Sequence, residues 1–140
     1  MADTTNPISP IPDDSTWGYL ASVDVGRIAV SSDNLPEVYP VNFCLDGESI
    51  VFRSAAGSKL EKLALNSHVA FEADGWSEEG GWSVLVRGTG SFITDEDELA
   101  RVAKAPLLPW VPTVKKNWVR IMPTRVTGRT FLFGPEPSQS

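Results

Sequence analysis

A strand-like run, Val51-Phe52-Arg53-Ser54, is followed by a turn of small residues, Ala55-Ala56-Gly57, and then by Ser58-Lys59-Leu60-Glu61-Lys62-Leu63. A helix beginning near Ser58 or Lys59 offers N–H groups with no intrahelical acceptor, at the positive end of its dipole. Arg53 and Lys59 add cationic donors, and Ser54 and Ser58 add hydroxyls. A phosphate monoester requires such a set. The same residues admit a plainer reading, with Ser58 as a cap and Lys59 as a solvated helix lysine, and spacing leaves both open.

Other reactive side chains are few. His68 is the sole histidine, with no partner at metal-ligand or triad spacing, so a structural or surface role is expected. Cys44 is the sole cysteine, which excludes an intrachain disulfide and a multi-cysteine zinc site. It reads as a small core residue. The acidic run Asp95 to Glu98 reads as the first turn of a helix, where the dipole favours carboxylates, and no metal site is expected. Trp110, in the run Pro106-Leu107-Leu108-Pro109-Trp110, either covers one end of the fold or meets a ligand or a second subunit.

The elements that must position these groups read mainly as strands. Ser15 or Thr16 caps a short helix with the apolar set Trp17, Tyr19, Leu20 and Val23. Strands are expected at 26–31, 38–45, 49–54, 67–73, 82–92, 117–121 and 126–133. Asp46-Gly47 signals a two-residue hairpin loop, pairing Pro40-Val41-Asn42 with Val51-Phe52-Arg53. Pro40 cannot donate to a ladder and points to an edge or a bulge. Leu60, Leu63 and Ala64 form the buried stripe of the helix after Gly57. Trp82, Val84, Val86, Gly88, Gly90 and Phe92 alternate onto one face, where the glycines suit sharp curvature or a close crossing. Thr94 or Asp95 caps a third helix, and a proline-rich loop over 106–112 follows. The expected fold is mainly β (α+β): a six- to seven-stranded antiparallel split β-barrel with two or three short helices. Missing crossover helices exclude a parallel α/β arrangement.

The chain has 140 residues, a formal net charge of −6 and 41% hydrophobic residues. That length predicts one domain with a real core. The acidic balance excludes a general nucleic-acid binder, which needs a basic face. Residues 1–14, with Pro7, Pro10 and Pro12, read as a mobile arm, 15–133 as the folded domain and 134–140 as a flexible tail. No signal peptide or spanning segment is readable, so the cytoplasm is the expected compartment.

Five segments in order, GRIAVSSDNLPEVYPVNF, DGESIVFRSAAGSKL, VAFEAD, GWSVLVRGTG and VTGRTF, resemble the pyridoxamine 5′-phosphate oxidase-like family of flavin-binding split barrels. Within it they resemble most the small actinobacterial-type members of unassigned substrate. The resemblance runs from about residue 19 to residue 133. It implies a homodimer with FMN in a groove at the dimer interface. Arg53, Ser54, Ser58 and Lys59 would then hold the FMN phosphate. Val41 and Asn42 would lie along the isoalloxazine ring through backbone groups, and Trp82 and Ser83 would flank the ring edge. Arg125 and Arg129 would reach the cofactor or the partner subunit. The C-terminal basic and aromatic set of the true pyridoxamine phosphate oxidases is not intact, which argues against that substrate. The implied function is an FMN-dependent oxidoreductase acting on a small molecule. The alternatives are a non-catalytic flavin-binding module and a deazaflavin-dependent reductase.

Overall fold

The structure is a computed structural model that describes residues 6–55, 57–104 and 117–138, the side chains of 58–60 excepted. Seven strands run β1 (Ile8–Pro10), β2 (Val25–Ser32), β3 (Leu35–Leu45), β4 (Ile50–Ser54), β5 (His68–Trp76), β6 (Gly80–Phe92) and β7 (Asn117–Leu132). Three helices join them: α1 (Thr16–Ala21), α2 (Ser58–Leu65) and α3 (Glu96–Val102). All pairings are antiparallel. The order β7-β4-β3-β2-β5-β6 closes on itself because β6 pairs with β7, and β1 adds to β7. Closure removes the open edges of the sheet. The mainly β split barrel expected from the turn signals is therefore the observed fold.

Two turns set its register. Ser32 pairs with Leu35 across Asp33 and Asn34, whose φ angles are 52° and 61°. Asp and Asn tolerate the left-handed region, so this two-residue hairpin was available in the sequence, yet β3 was expected to start only at 38. At the next turn, Asp46 and Ser49 exchange both backbone bonds, at 3.0 and 3.2 Å. The loop residues are therefore Gly47 and Glu48, not Asp46 and Gly47. Gly47 takes the positive φ of 59°, as a glycine at the first loop position does in a type II′ turn. The hairpin forms as expected, but its register moves by two residues: Phe43 faces Phe52 and Cys44 faces Val51. A two-residue shift keeps every side chain on its expected face.

The prolines of β3 are explained by the same ladder. The Phe43 N–H donates to the Asp24 carbonyl at 3.1 Å. Odd-numbered N–H groups of β3 thus face β2, and even-numbered ones face away. Pro36 and Pro40 place their missing donors on the side where β4 pairs only from Phe43 onward.

Phe52 and Phe71, fully buried, centre the barrel with Ile28, Val30, Val84, Val86, Val119 and Ile121. Each large side chain buried this way contributes about 1.5–3 kcal/mol. Phe43 meets Phe71 edge-on at 4.8 Å. Outside the barrel, α3 covers β4 and β7 with a second cluster of Val51, Ile93, Val102 and Trp118. Burial on both faces is why β4 reads as a continuous apolar run. Asp95 caps α3, accepting from the Glu98 N–H at 2.9 Å.

Four expectations need correction. The separate strands 117–121 and 126–133 are one strand, β7, which a bulge interrupts between Arg87 and Gly88 on the paired strand. Thr124 is the extra residue, and the neighbouring Pro123, which has no N–H, fits a bulge. Within the expected arm, Ile8–Pro10 pair with Phe131–Arg129, and Ile11 is buried in the core. An apolar residue that fills the barrel holds down a segment whose prolines suggested an arm. In α2 only Leu63 of the described stripe residues is buried, and Ala64 is exposed. On β6 the inward alternation ends before Phe92, which is 38% exposed. Glycine is required on this face where expected: a Cβ on Gly88 would lie 2.2 Å from the Met122 carbonyl oxygen. The loop over 106–112, with Trp110, lies outside the described residues.

Candidate phosphate-binding site

Strand alternation decides which expected residues can act together. Arg53 points out of the barrel at the end of β4, exposed, while Ser54 turns inward and is buried. The Ser54 hydroxyl donates to the Ala55 carbonyl at 3.1 Å. Arg53 faces Trp118 across the ladder. Its guanidinium carbon stands 5.1 Å from the indole centroid, a cation–π contact that holds the arm against a rigid wall. Three residues after Ser54, Gly57 occupies the N-cap of α2 and makes no side-chain cap bond. The first-turn N–H groups of α2 have no acceptor within the helix. The Ser58 and Lys59 side chains lie outside the described set, but their backbone forms that first turn. Lys62 is engaged elsewhere, 3.4 Å from Glu37 and 3.4 Å from the Ser32 hydroxyl.

Asn42 precedes Phe43, just beyond the last β3–β4 pair, and between the inward-facing Val41 and Phe43 it points to the outer surface, half-buried. One chain thus pairs Arg53 with Trp118, carries Asn42 on the outer face of the strand next to β4, and runs on from β4 into the start of α2. Val41 points the other way and belongs to the core, 6% exposed. Trp82 also turns inward, packing on Tyr19 at 5.2 Å between ring centroids. It fills the space a side chain at Gly75 would need, since a Cβ there would lie 2.6 Å from Trp82 Nε1. Any group these two present outward is backbone.

Ser83 and Arg129 are direct cross-strand partners on the outer face, and Arg125 faces Arg87. Asn42 on β3 and Ser83 on β6 are separated by β2 and β5. Three strand spacings amount to about 14 Å around the barrel. Arg125 and Arg129 lie on β7, which does pair with β4, but 7 and 11 residues beyond Trp118, roughly 23 and 36 Å along the strand at ~3.3 Å per residue. A single chain therefore does not bring Ser83, Arg125 and Arg129 to the Arg53 group.

Behind Trp118 lies an ion network that the sequence reading missed. Arg120 meets Asp46 at 2.8 Å, Glu98 at 2.6 Å and the Ser49 hydroxyl at 2.6 Å. Arg101 also bonds Asp46. The Arg101 bond, helped by Arg120 against the opposing effect of burial, holds the Asp46 carboxyl below the usual carboxylate range. Burial opposes the charge on Arg120, but Asp46 and Glu98 outweigh it and raise its pKa. On the opposite wall Arg27 bridges Glu72 and Asp74, each at 3.0 Å. Burial and the adjacent Asp74 push the Glu72 carboxyl up. Alternation along a strand would have placed Trp118 and Arg120 on one face. Their partners are distant in the chain, 22 residues for Glu98 and 71 for Ser49, and carry no sequence signal.

The family model described as pyridoxamine 5′-phosphate oxidase matches residues 12–130. This chain belongs to that family. It is 41% identical over 96 residues to an uncharacterized protein of Mycobacterium tuberculosis, covering 69% of this chain and 87% of that protein. Among solved structures, a Corynebacterium glutamicum protein provisionally described as a pyridoxamine 5′-phosphate oxidase superimposes with TM-score 0.85. It is 38% identical, covering 97% of this chain and 100% of that one. The FAD binding protein of Mycobacterium smegmatis superimposes with TM-score 0.79 and 41% identity, covering 89% of this chain and 99% of that one.

Proposed function

We propose that this protein binds a flavin nucleotide and acts as an oxidoreductase on a small molecule. The observation that carries the reading is the cationic Arg53, braced on Trp118, on the strand that leads directly through Gly57 into the start of α2. N–H groups without an intrahelical acceptor and a fixed guanidinium fit the ribityl phosphate that FMN and FAD share. Arg53, Ser58 and Lys59 would hold that phosphate. Ser54 would join only by releasing the Ala55 carbonyl. Asn42 and the backbone of Val41 would lie along the ring. The flavin supplies hydride or electron transfer, and the protein supplies position and electrostatics. The similarity to a protein that binds FAD supports a flavin over a deazaflavin, and FMN remains our first choice of nucleotide.

We propose in addition that the assembly is a homodimer with the cofactor at the interface. Ser83 and Arg129 would serve the flavin only across such an interface, because they stand apart from Arg53 in one chain.

The test is a fluorescence titration with FMN, FAD and riboflavin. Each charge-assisted bond contributes about 1.5–3 kcal/mol, so Arg53→Ala or Lys59→Ala should weaken FMN by roughly 10- to 100-fold. Riboflavin should bind parent and variants alike, because it has no phosphate. Lys62→Ala, removing a lysine already paired with Glu37, should change FMN affinity little. Equal FMN affinity in the parent and in both variants would refute the phosphate site. Anaerobic reduction by a nicotinamide, followed by turnover of an acceptor, separates an enzyme from a non-catalytic flavin module.

A further inference from the structure

Arg53 and Trp118 stand directly opposite one another across the β4–β7 ladder, and the two side chains differ in freedom. Arg53 is exposed, and a long exposed side chain gives up many rotamers when it holds an anion. Trp118 is 8% exposed, in one cluster with Val51 of β4, Ile93 beyond β6 and Val102 of α3. Leu99 of α3 packs on the same cluster. The Ile93 N–H donates to the Trp118 carbonyl at 2.9 Å. With seven residues, α3 is too short to persist alone. Glu98 holds it to Arg120 at 2.6 Å, and Arg101 holds it to Asp46. The indole under Arg53 is therefore fixed by both the barrel and the helix.

The kind of brace matters. A carboxylate at position 118 would hold the arginine by neutralising it and occupying its N–H donors. An indole attracts the cation through its π face and leaves the charge for an anion. Filling the cluster under α3 calls only for apolar bulk, whereas orienting a guanidinium calls for an aromatic face. A cation set in place beforehand binds its anion more tightly, because less freedom is lost in the binding step.

We propose that Trp118 is a positioning residue for the cofactor phosphate. Clamped under α3, its indole holds the Arg53 guanidinium ready for the phosphate and touches no reacting atom itself. This role rests on the reading of Arg53 as a phosphate ligand.

Fluorescence titration of the full chain with FMN and riboflavin tests it. Trp118→Leu keeps apolar bulk and removes the π face, so FMN should bind roughly 3- to 10-fold more weakly. Riboflavin, without a phosphate, should bind as it does to the parent. Trp118→Phe keeps an aromatic face and should retain most of the FMN affinity. In the Arg53→Ala background, Trp118→Leu should cause no further loss. A readout free of flavin is the NMR signal of the Arg53 Nε–H, which the indole ring current should shift in the parent and which Trp118→Leu should return to the ordinary arginine position. An unshifted signal in the parent would overturn the proposal even if Trp118→Leu did not fold. So would parental FMN affinity in Trp118→Leu, an equal loss of FMN and riboflavin, which marks a merely structural role, or a loss additive with Arg53→Ala. Unchanged FMN affinity in Arg53→Ala alone would remove the phosphate site and this role together. A loss in Arg53→Ala with none in Trp118→Leu would remove only the role of Trp118.

Discussion

Arg120→Met should destabilise the protein markedly, although the residue lies outside the barrel. The Arg120 side chain is 12% exposed, against 25% for Asp46 and 32% for Glu98. Removing it takes away charge-assisted bonds to two carboxylates and one to the buried Ser49 hydroxyl. Bonds to charged groups contribute about 1.5–3 kcal/mol each when well shielded. Partial exposure of both carboxylates reduces this, and Asp46 retains Arg101. A net loss of about 2–3 kcal/mol follows, a large share of the roughly 5–15 kcal/mol typical of a domain. Urea unfolding followed by tryptophan fluorescence measures it, with Arg120→Lys retaining part of the loss. The network also has a pH signature. Asp46 has a folded pKa below its unfolded value. Its contribution is therefore present above the unfolded pKa, near 4, and disappears as pH falls through the folded value. Asp46→Asn should show a smaller fall in stability on acidification than the parent. A double-mutant cycle should give a coupling of about 1 kcal/mol or more between Arg120 and Asp46. Additive single effects, or a cost for Arg120→Met below about 0.5 kcal/mol, would refute the claim that this cluster ties α3 to the β3–β4 turn.

Two glycines should respond in opposite directions. Gly88→Ala would press a methyl within 2.2 Å of the Met122 carbonyl oxygen and should cost about 1–3 kcal/mol in thermal or urea unfolding. Gly18→Ala, in α1 with nothing within 4 Å, should stabilise by about 0.5–1 kcal/mol. For Cys44, burial, with Asp46 nearby, pushes the thiol pKa up. Its labelling by a disulfide reagent at pH 8 should be slower than that of free cysteine, and Asp46→Asn should speed it.

Much of this architecture is local chemistry and was legible in the residues. Alternation along 82–90 assigned the inward face of β6. The Gly57-Ser58 break started α2, and Asp95 capped α3. Each depends on interactions within a few residues, which the chain order itself specifies. The β3–β4 turn was legible in kind but not in register, because Asp46-Gly47 and Gly47-Glu48 are both possible two-residue loops. The choice falls to the side chains that must meet: the observed register places Phe43 against Phe52 in the core and leaves Asp46 to Arg120. The division of the candidate site was likewise a tertiary outcome. Arg53 and Asn42 share the outer face of the neighbouring strands β4 and β3, whereas Ser83 and Arg129 pair across the β6–β7 ladder, toward the far end of β7 from Trp118. Trp118 as the wall behind Arg53, and the juxtaposition of Arg87 with Arg125, arise from pairings between strands distant in sequence. Local propensity carries no term for such pairings. They are set by barrel closure, which buries the apolar faces of all six strands at once.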